Sequence, residues 1–327
     1  MRYVLRADAS QSIGSGHVMR SSAIAEELIA RGKAVIFVGQ ISNLPWVEAR
    51  IASLGFTEIH NRPSEFISNP ASDVLLLDSY EIDINDTFIA FEDWLHIVVI
   101  VDEQTPSYHC TLRIHPGLES PWIRESQTPT LAGPNYIPFR TSLAKNKTRR
   151  KKSIDVLKIA VVAGGSDPYQ LVNEIAKVLS GIQYPFEAYL FTNSHKNEIS
   201  DSRFNYVDIG PQLDDVIQNI DLVLTTSSGS SLEFIASGLP IGVACVVDNQ
   251  KQCYESLGKL GLAVQIGFLN SHEEWNLNKE LIYELIESSE IRECLIAKAS
   301  GLIDFNGAGR IVDAIMNLHP SPNLQNG

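Results

Sequence analysis

The chain has 327 residues, 44% of them hydrophobic and 20% charged, with a formal net charge of −13. That length favours two compact domains, because single cores stop growing near ~250 to 300 residues, and the composition is that of a soluble globular protein. The acidic balance excludes the dominant positive field that nucleic acid or an anionic membrane surface requires.

The first predicted strand is "YVLRAD", followed by the glycine turn "SIGSG" and a helix over "HVMRSSAIAEELIARG", where Val18, Ala25, Leu28 and Ile29 share one face and Gly32 ends the helix. "KAVIFVGQ", "DVLLLDSY" and "HIVVIVDE" continue as runs apolar on both faces, the signature of parallel strands buried between helices such as "LPWVEARIASLG". Periodicity fades and charge rises across "IPFRTSLAKNKTRRKKSID", whose basic run reads as a solvated linker. The strand, glycine-serine turn and helix pattern then restarts at "LKIAVVAGGSDPYQLVNEIAKVLSGI" and runs through "FEAYLFTN", "NYVDIG", "DLVLTTSSGSSLEFIASGLP" and "IGVACVV". The expected boundaries are 1–142, a linker at 143–153, 154–318 and a frayed tail at 319–327. The expected class is α/β, two doubly wound Rossmann-like domains facing a cleft at the carboxyl ends of their strands, where open α/β sheets bind ligands.

The segment "MRYVLRADAS" lacks the apolar core of a signal peptide, and no apolar run approaches the ~18 residues of a membrane span. Cys110, Cys245, Cys253 and Cys294 show no C-x-x-C spacing, so neither zinc nor a disulfide framework is suggested and a reducing cytoplasm fits. No nucleic-acid partner and no stable membrane insertion are expected, and the sequence is compatible with a monomer.

In the first half, Gly14 and Gly16 let backbone amides approach a ligand at a helix start, but Met19 stands where G-x-G-x-x-G needs its third glycine, so a dinucleotide site is poorly supported. His17 sits at that helix start, where the dipole disfavours imidazolium and leaves the neutral form a general base needs. It reads equally well as a capping or packed histidine. Asp8 and Arg20 flank it, as substrate contacts or as an ion pair holding the loop. Asp78, Ser79 and Tyr80 end one apolar strand and Asp102 the next, all on the cleft side.

In the second half, "AGGSDP" is a turn whose following helix could face a phosphate. "TTSSGSSLE" places Ser227, Ser228, Gly229, Ser230 and Ser231 at a helix start, an arrangement suited to a diphosphate or to ordinary serine capping. Glu233 is expected within the first helical turn, able to accept two hydroxyl bonds from a ribose. Asn249, Gln250 and Gln252 follow a further strand. There is no acidic D-x-D cluster to bridge a magnesium diphosphate, so neither a metal nor another cofactor is expected.

Taken together, "RADASQSIGSGHVMR", "LLLDSYEID", "VIVDE", "GPNYIPFR", "AVVAGGSDP", "IDLVLTTSSGSSLEFIASGLP", "DNQ" and "DFNGAGRIVDAI" resemble the GT-B superfamily, specifically the PseG-type UDP-sugar hydrolases of pseudaminic acid synthesis, which are similar to MurG-type glycosyltransferases. The resemblance spans nearly the whole chain. It implies a sugar-binding N-terminal domain, a UDP-binding C-terminal domain and hydrolysis of a UDP-linked diacetamido trideoxy sugar to UDP and free sugar. His17 becomes the base for water and Tyr80 its positioning partner, with Asp8, Gly14, Ser15, Gly16, Arg20, Asp102, Asn249 and Gln250 on the substrate side. Gly165, Ser166, Ile209, Ser228, Gly229, Ser230, Ser231 and Glu233 fall on the nucleotide side.

In that family the turn usually reads closer to A-G-G-S-x-x-x-E, so Ser227 and Ser228 stand in place of a glycine pair and are expected to restrict how closely the backbone nears a diphosphate. Transfer of the sugar to an acceptor, and non-catalytic binding of a UDP-sugar, are the competing readings.

Overall fold

Strands apolar on both faces must be covered on both faces, and the protein builds two sheets that meet this demand. Its computed structural model describes the chain apart from residues 11–12, 80–81, 83–85, 103–108, 120–127, 143–155, 165–166, 195–197, 211 and 319–327. Two units emerge, Met1–Thr141 with Phe305–Gly327, and Ser142–Asp304.

The first unit runs β1 (Arg2–Ala7), α1 (Gly16–Ala30), β2 (Ala34–Val38), α2 (Pro45–Ser53), β3 (Glu58–His60), β4 (Asp73–Asp78), β5 (His96–Ile100), β6 (Leu112–His115) and β7 (Thr130–Ala132). The strand order is β3-β2-β1-β4-β5-β6-β7, and every pairing is parallel. Side-chain alternation splits the apolar runs between two cores. Leu5, Phe37, Val74, Leu76 and Val98 pack with Val18, Ile24 and Leu28 of α1. Val4, Ile36, Leu75, Leu77 and Val99 pack on the other face with Phe66 and Trp94, whose rings stack at 12°. Burying each such side chain contributes ~1.5 to 3 kcal/mol. Pro45 opens α2 where its missing N–H costs nothing, and Gly32, at φ 71°, turns the chain after α1.

The second unit runs β8 (Leu157–Val162), α3 (Leu171–Ser180), β9 (Phe186–Phe191), β10 (Phe204–Val207), α4 (Gln212–Val216), β11 (Leu222–Thr226), α5 (Gly229–Ala236), β12 (Ile241–Cys245), α6 (Lys251–Leu260), β13 (Val264–Leu269), β14 (Trp275–Leu277), α7 (Lys279–Glu287) and α8 (Ser289–Ala299). Its order, β10-β9-β8-β11-β12-β13-β14, repeats that of the first unit, with β14 antiparallel to β13 at the edge. In both sheets the order reverses beside the first strand, between β1 and β4 and between β8 and β11. Loops leaving these neighbouring strands in opposite directions open a crevice at each switch point.

The expected second domain, 154–318, is corrected at its end. The last helix, α9 (Gly307–Met316), packs on α1 in the first unit, with Ile311, Val312 and Ile315 inside that unit's core. Arg31 fastens it from the surface, reaching Asp313 at 2.5 Å and the Gly309 carbonyl at 3.3 Å. Gly307 lies against the chain at Ile137, where a Cβ would come within 2.0 Å of the carbonyl oxygen. An apolar helical stripe specifies burial, not which core supplies it. The expected linker at 143–153 and tail at 319–327 lie outside the described residues.

Candidate functional site

The first unit's switch point is lined by the loop after β1. Ala9 bridges to Ile41, the Ala9 N–H donates to the Gln40 carbonyl, and the Ser42 N–H donates to the Ala9 carbonyl. Asp8 accepts from the Gln40 N–H at 2.8 Å and pairs with Arg6 at 2.6 Å. Beyond it the Gly14 N–H donates to the Ser10 carbonyl at 2.8 Å, with Gly14 at φ 83°, a conformation that favours glycine. A Cβ on Gly14 or Gly16 would meet no neighbour within 4 Å among the described residues, so this turn offers close approach to its backbone. Ser15 makes no side-chain cap to α1, and no acidic residue sits in its first turn. The positive helix end therefore carries no side-chain counter-charge of its own.

His17 is 7% exposed on that first turn. One turn further, Arg20 grips Asp78 through Nε and Nη2, at 2.7 and 2.6 Å, and reaches Asp102 through Nη1 at 2.5 Å. The Ser21 hydroxyl donates to Asp78 at 2.8 Å. Asp78 ends β4, Asp102 follows β5, and His115 ends β6 with its ring donating to the Asp102 main-chain carbonyl. Parallel neighbours bring all three strand ends to one edge.

Burial pushes the His17 pKa below the usual imidazole range; the nearby Arg20 acts the same way, and Asp78, Asp102 and Asp8 oppose it without winning. Burial alone would raise Asp102, but the Arg20 charge and hydrogen bond hold it below the usual carboxylate range. Burial likewise lowers His115, against the pull of Asp102. His17 is thus a neutral imidazole at pH 7, by burial as well as by the helix dipole.

Asp8 and Arg20 do not pair with each other. Each has a separate partner, and the guanidinium of Arg20 is engaged by two carboxylates, which makes it a holder of the loop edges. Tyr80 lies outside the described residues. His115 carried no signal in "LRIHPG", because only the tertiary order of strands brings it beside Asp102. A cavity of about 490 Å3 adjoins the Asp8 loop, lined by Phe37, Gln40, Ile41, Ile51, Ile59 and Arg62 among others.

In the second unit, the two glycine-serine turns differ. The start of α3 is already filled, since the Asp167 carboxylate accepts from the Leu171 and Val172 amides at 2.8 and 3.0 Å. Burial raises the pKa of this carboxyl, and those two amides moderate the rise. The helix expected to face a phosphate from "AGGSDP" is therefore capped internally, and Gly165 and Ser166 lie outside the described residues.

The start of α5 is open. Ser228, in extended backbone, makes no side-chain cap, and no acidic residue lies in the first turn. The Ser231 hydroxyl turns back onto the Ser228 carbonyl at 2.6 Å, and Gly229 is exposed, with no neighbour among the described residues where a Cβ would stand. Ser230 is half-buried beside it. Ser227 is 1% exposed and directs its hydroxyl to the Ala244 and Gln250 carbonyls, so its side chain packs inward and leaves the turn's outer face clear.

Glu233 is the fifth residue of α5, just past the first turn where it was expected, and is half-buried. Gln250 accepts from the Val246 N–H at 3.2 Å and receives the Ser227 hydroxyl on its carbonyl, lacing two loops together. The Asn249 side chain lies outside the description. Ile209, half-buried after β10, donates its N–H to Asn193 at the end of β9. Parallel order places Ile209 and Ser228 on the same carboxyl edge.

Among the described residues no three His, Cys, Asp or Glu side chains are grouped to hold a metal ion, and no helix is long and apolar enough to cross a membrane.

No protein-family model matches the chain. It is 23% identical over 282 residues to the uncharacterized protein MJ1062 of Methanocaldococcus jannaschii, covering 78% of this chain and 58% of that protein. The chain thus spans little more than half the length of the curated relative it matches. MurG of Acinetobacter baumannii is similar in structure with a TM-score of 0.65 at 10% identity, over 97% of this chain and all of that one. A putative UDP-N-acetylglucosamine 2-epimerase from Listeria monocytogenes gives a TM-score of 0.61 at 13% identity, over 96% and 95% of the two chains. The two seven-stranded α/β sheets, parallel but for one edge strand, are those of the GT-B fold.

Proposed function

We propose that the chain is a nucleotide-sugar hydrolase that cleaves a UDP-linked diacetamido trideoxy sugar to UDP and free sugar, with the first unit acting on the sugar and the second holding UDP. The observation that carries the reading is His17, a buried neutral imidazole on the first turn of α1, beside the turn of Gly14 and Gly16 and one helical turn before Arg20, which is clamped by Asp78 and Asp102. The imidazole takes a proton from water as the water oxygen bonds to the anomeric carbon. The bond from that carbon to the phosphate oxygen breaks, and its electron pair leaves with UDP. Amides and hydroxyls at the open start of α5 supply charge stabilisation for the diphosphate, with Glu233 on the ribose. The resemblance in sequence supplies the identity of nucleotide and sugar.

A second reading, transfer of the sugar to an acceptor hydroxyl, is favoured by the cavity of about 490 Å3 beside the Asp8 loop, which has room for a second substrate. The test is a nucleotide-sugar panel with UDP detection, run with and without sugar and lipid acceptors. Release of UDP in water alone supports hydrolysis. Release that begins only when an acceptor is added overturns it in favour of transfer, and UDP-sugar binding without turnover on either arm leaves a binding protein.

A further inference from the structure

We propose that His115 is a positioning residue of the His17 site, holding the main chain at Asp102 so that the Asp102 carboxylate stays on Arg20 and the charge facing His17 is fixed. The inference rests on the reading of His17 as the base.

His115 is 3% exposed at the end of β6, and the Val101 N–H donates to the Ile114 carbonyl at 2.9 Å, which sets Asp102 beside it. The ring is confined. Two main-chain groups, the N–H of Gly117 and of Gly133, donate to the His115 carbonyl at 2.9 and 3.1 Å. A Cβ on Gly117 would come within 2.6 Å of the ring Cε1, so any larger residue there would have to displace the imidazole. The polar edge of this confined ring meets the Asp102 carbonyl, and Asp102 in turn holds Arg20 at 2.5 Å.

A buried ring needed only for packing would be served by an apolar side chain. Here the imidazole is the third member of a line, His115 to Asp102 to Arg20, that ends one helical turn from His17. The charged groups facing His17 are Asp78, Arg20, Asp102 and Asp8, and those facing His115 are Asp102 and Arg20. Of these, Asp102 is held at its main chain by His115. If Asp102 leaves, His17 loses a nearby negative charge and feels Arg20 less compensated, so it becomes a weaker base.

The experiment is an NMR titration of the His17 imidazole in the full chain, in parallel with the pH profile of UDP release. Replacement by Phe keeps the ring volume and removes the donor. His115→Phe is expected to move the His17 midpoint to lower pH by about half a unit and to cut kcat about tenfold, with KM within about twofold. His115→Asn and His115→Gln place an amide N–H near the Nδ1 and Nε2 positions respectively, and whichever of the two matches the donating nitrogen is expected to recover most of the loss. A folded His115→Phe protein whose His17 midpoint and kcat match the wild type overturns the proposal. Should the Phe variant not fold, Gly117→Ala, which displaces the ring, carries the same expectation and the same overturning result. Failure of the wild type to release UDP from any sugar nucleotide removes the hydrolase reading instead, while the His17 titration still decides whether His115 sets its charge environment.

Discussion

Replacing His17 by Asn keeps a polar side chain at the start of α1 and removes the imidazole proposed as the proton acceptor. Turnover is expected to fall about 100-fold or more, with UDP affinity within about twofold, measured by steady-state UDP release and by calorimetry. Loss confined to binding would leave His17 a cap. The pH profile gives a second check, because an imidazole acting as a base works only when neutral and the folded pKa of His17 lies below the ordinary 6.5. The acid limb of kcat/KM should therefore fall below pH 6.5, with activity level above it; a limb at or above 6.5 contradicts a buried, depressed imidazole. Much of this site is legible residue by residue. Asp78 and Asp102 are marked by the ends of apolar strands, and Arg20 by its place one turn after His17. Their pairing is not legible, since Asp8 is nearer to Arg20 in sequence than either true partner. Local spacing does not reveal that β4, β5 and β6 end side by side, and so His115 was missed.

Two elements that look alike in sequence, the turns into α3 and α5, divide on one carboxylate. Asp167 fills the amides at the start of α3, whereas Ser228 leaves the corresponding end of α5 uncapped. A carboxylate placed there should imitate the first case. Ser228→Asp is expected to leave thermal stability unchanged or raise it by ~0.3 to 1 kcal/mol through the helix dipole. The same change should weaken UDP binding about tenfold or more, which is 1.4 kcal/mol per tenfold. Unchanged UDP affinity in a folded variant would take the diphosphate away from α5. The strand-turn-helix pattern was visible because period and glycine placement are local properties. Which helix start stays open was not, because it depends on whether the carboxylate of "SDP" folds back onto the amides three and four residues past its proline or turns away.

At the scale of the whole chain, the return of α9 to the first unit makes that unit depend on both ends of the sequence. A chain ending at Asp304 should lose protection of the α1 amides in hydrogen exchange while the α3 and α5 amides keep theirs, because Ile311, Val312 and Ile315 leave only the first core. Equal loss in both units would contradict that assignment. Acid should expose the same asymmetry. His17, His96 and His115 all lie in the first unit with pKa values lowered chiefly by burial. His96 is 1% exposed, and among the described residues neither ring nitrogen has a hydrogen-bond partner. Below pH 6.5 the unfolded chain binds protons that these folded histidines refuse, so stability present at neutral pH is lost as pH falls toward their folded values. The loss is about 1.4 kcal/mol per pH unit for each proton taken up. Asp73 and Asp102, with pKa values lowered from 3.8 by their arginine partners against the cost of burial, add to it only at more acid pH, so the first stage belongs to histidine. Urea unfolding followed between pH 7 and pH 5 should therefore show the first unit weakening ahead of the second. His96→Phe, which removes one of the three groups and breaks no hydrogen bond among the described residues, should reduce that slope by about one proton's worth. A slope unchanged in His96→Phe would mean that His96 titrates alike in the folded and unfolded chain, and that the ring reaches water that its burial should deny it.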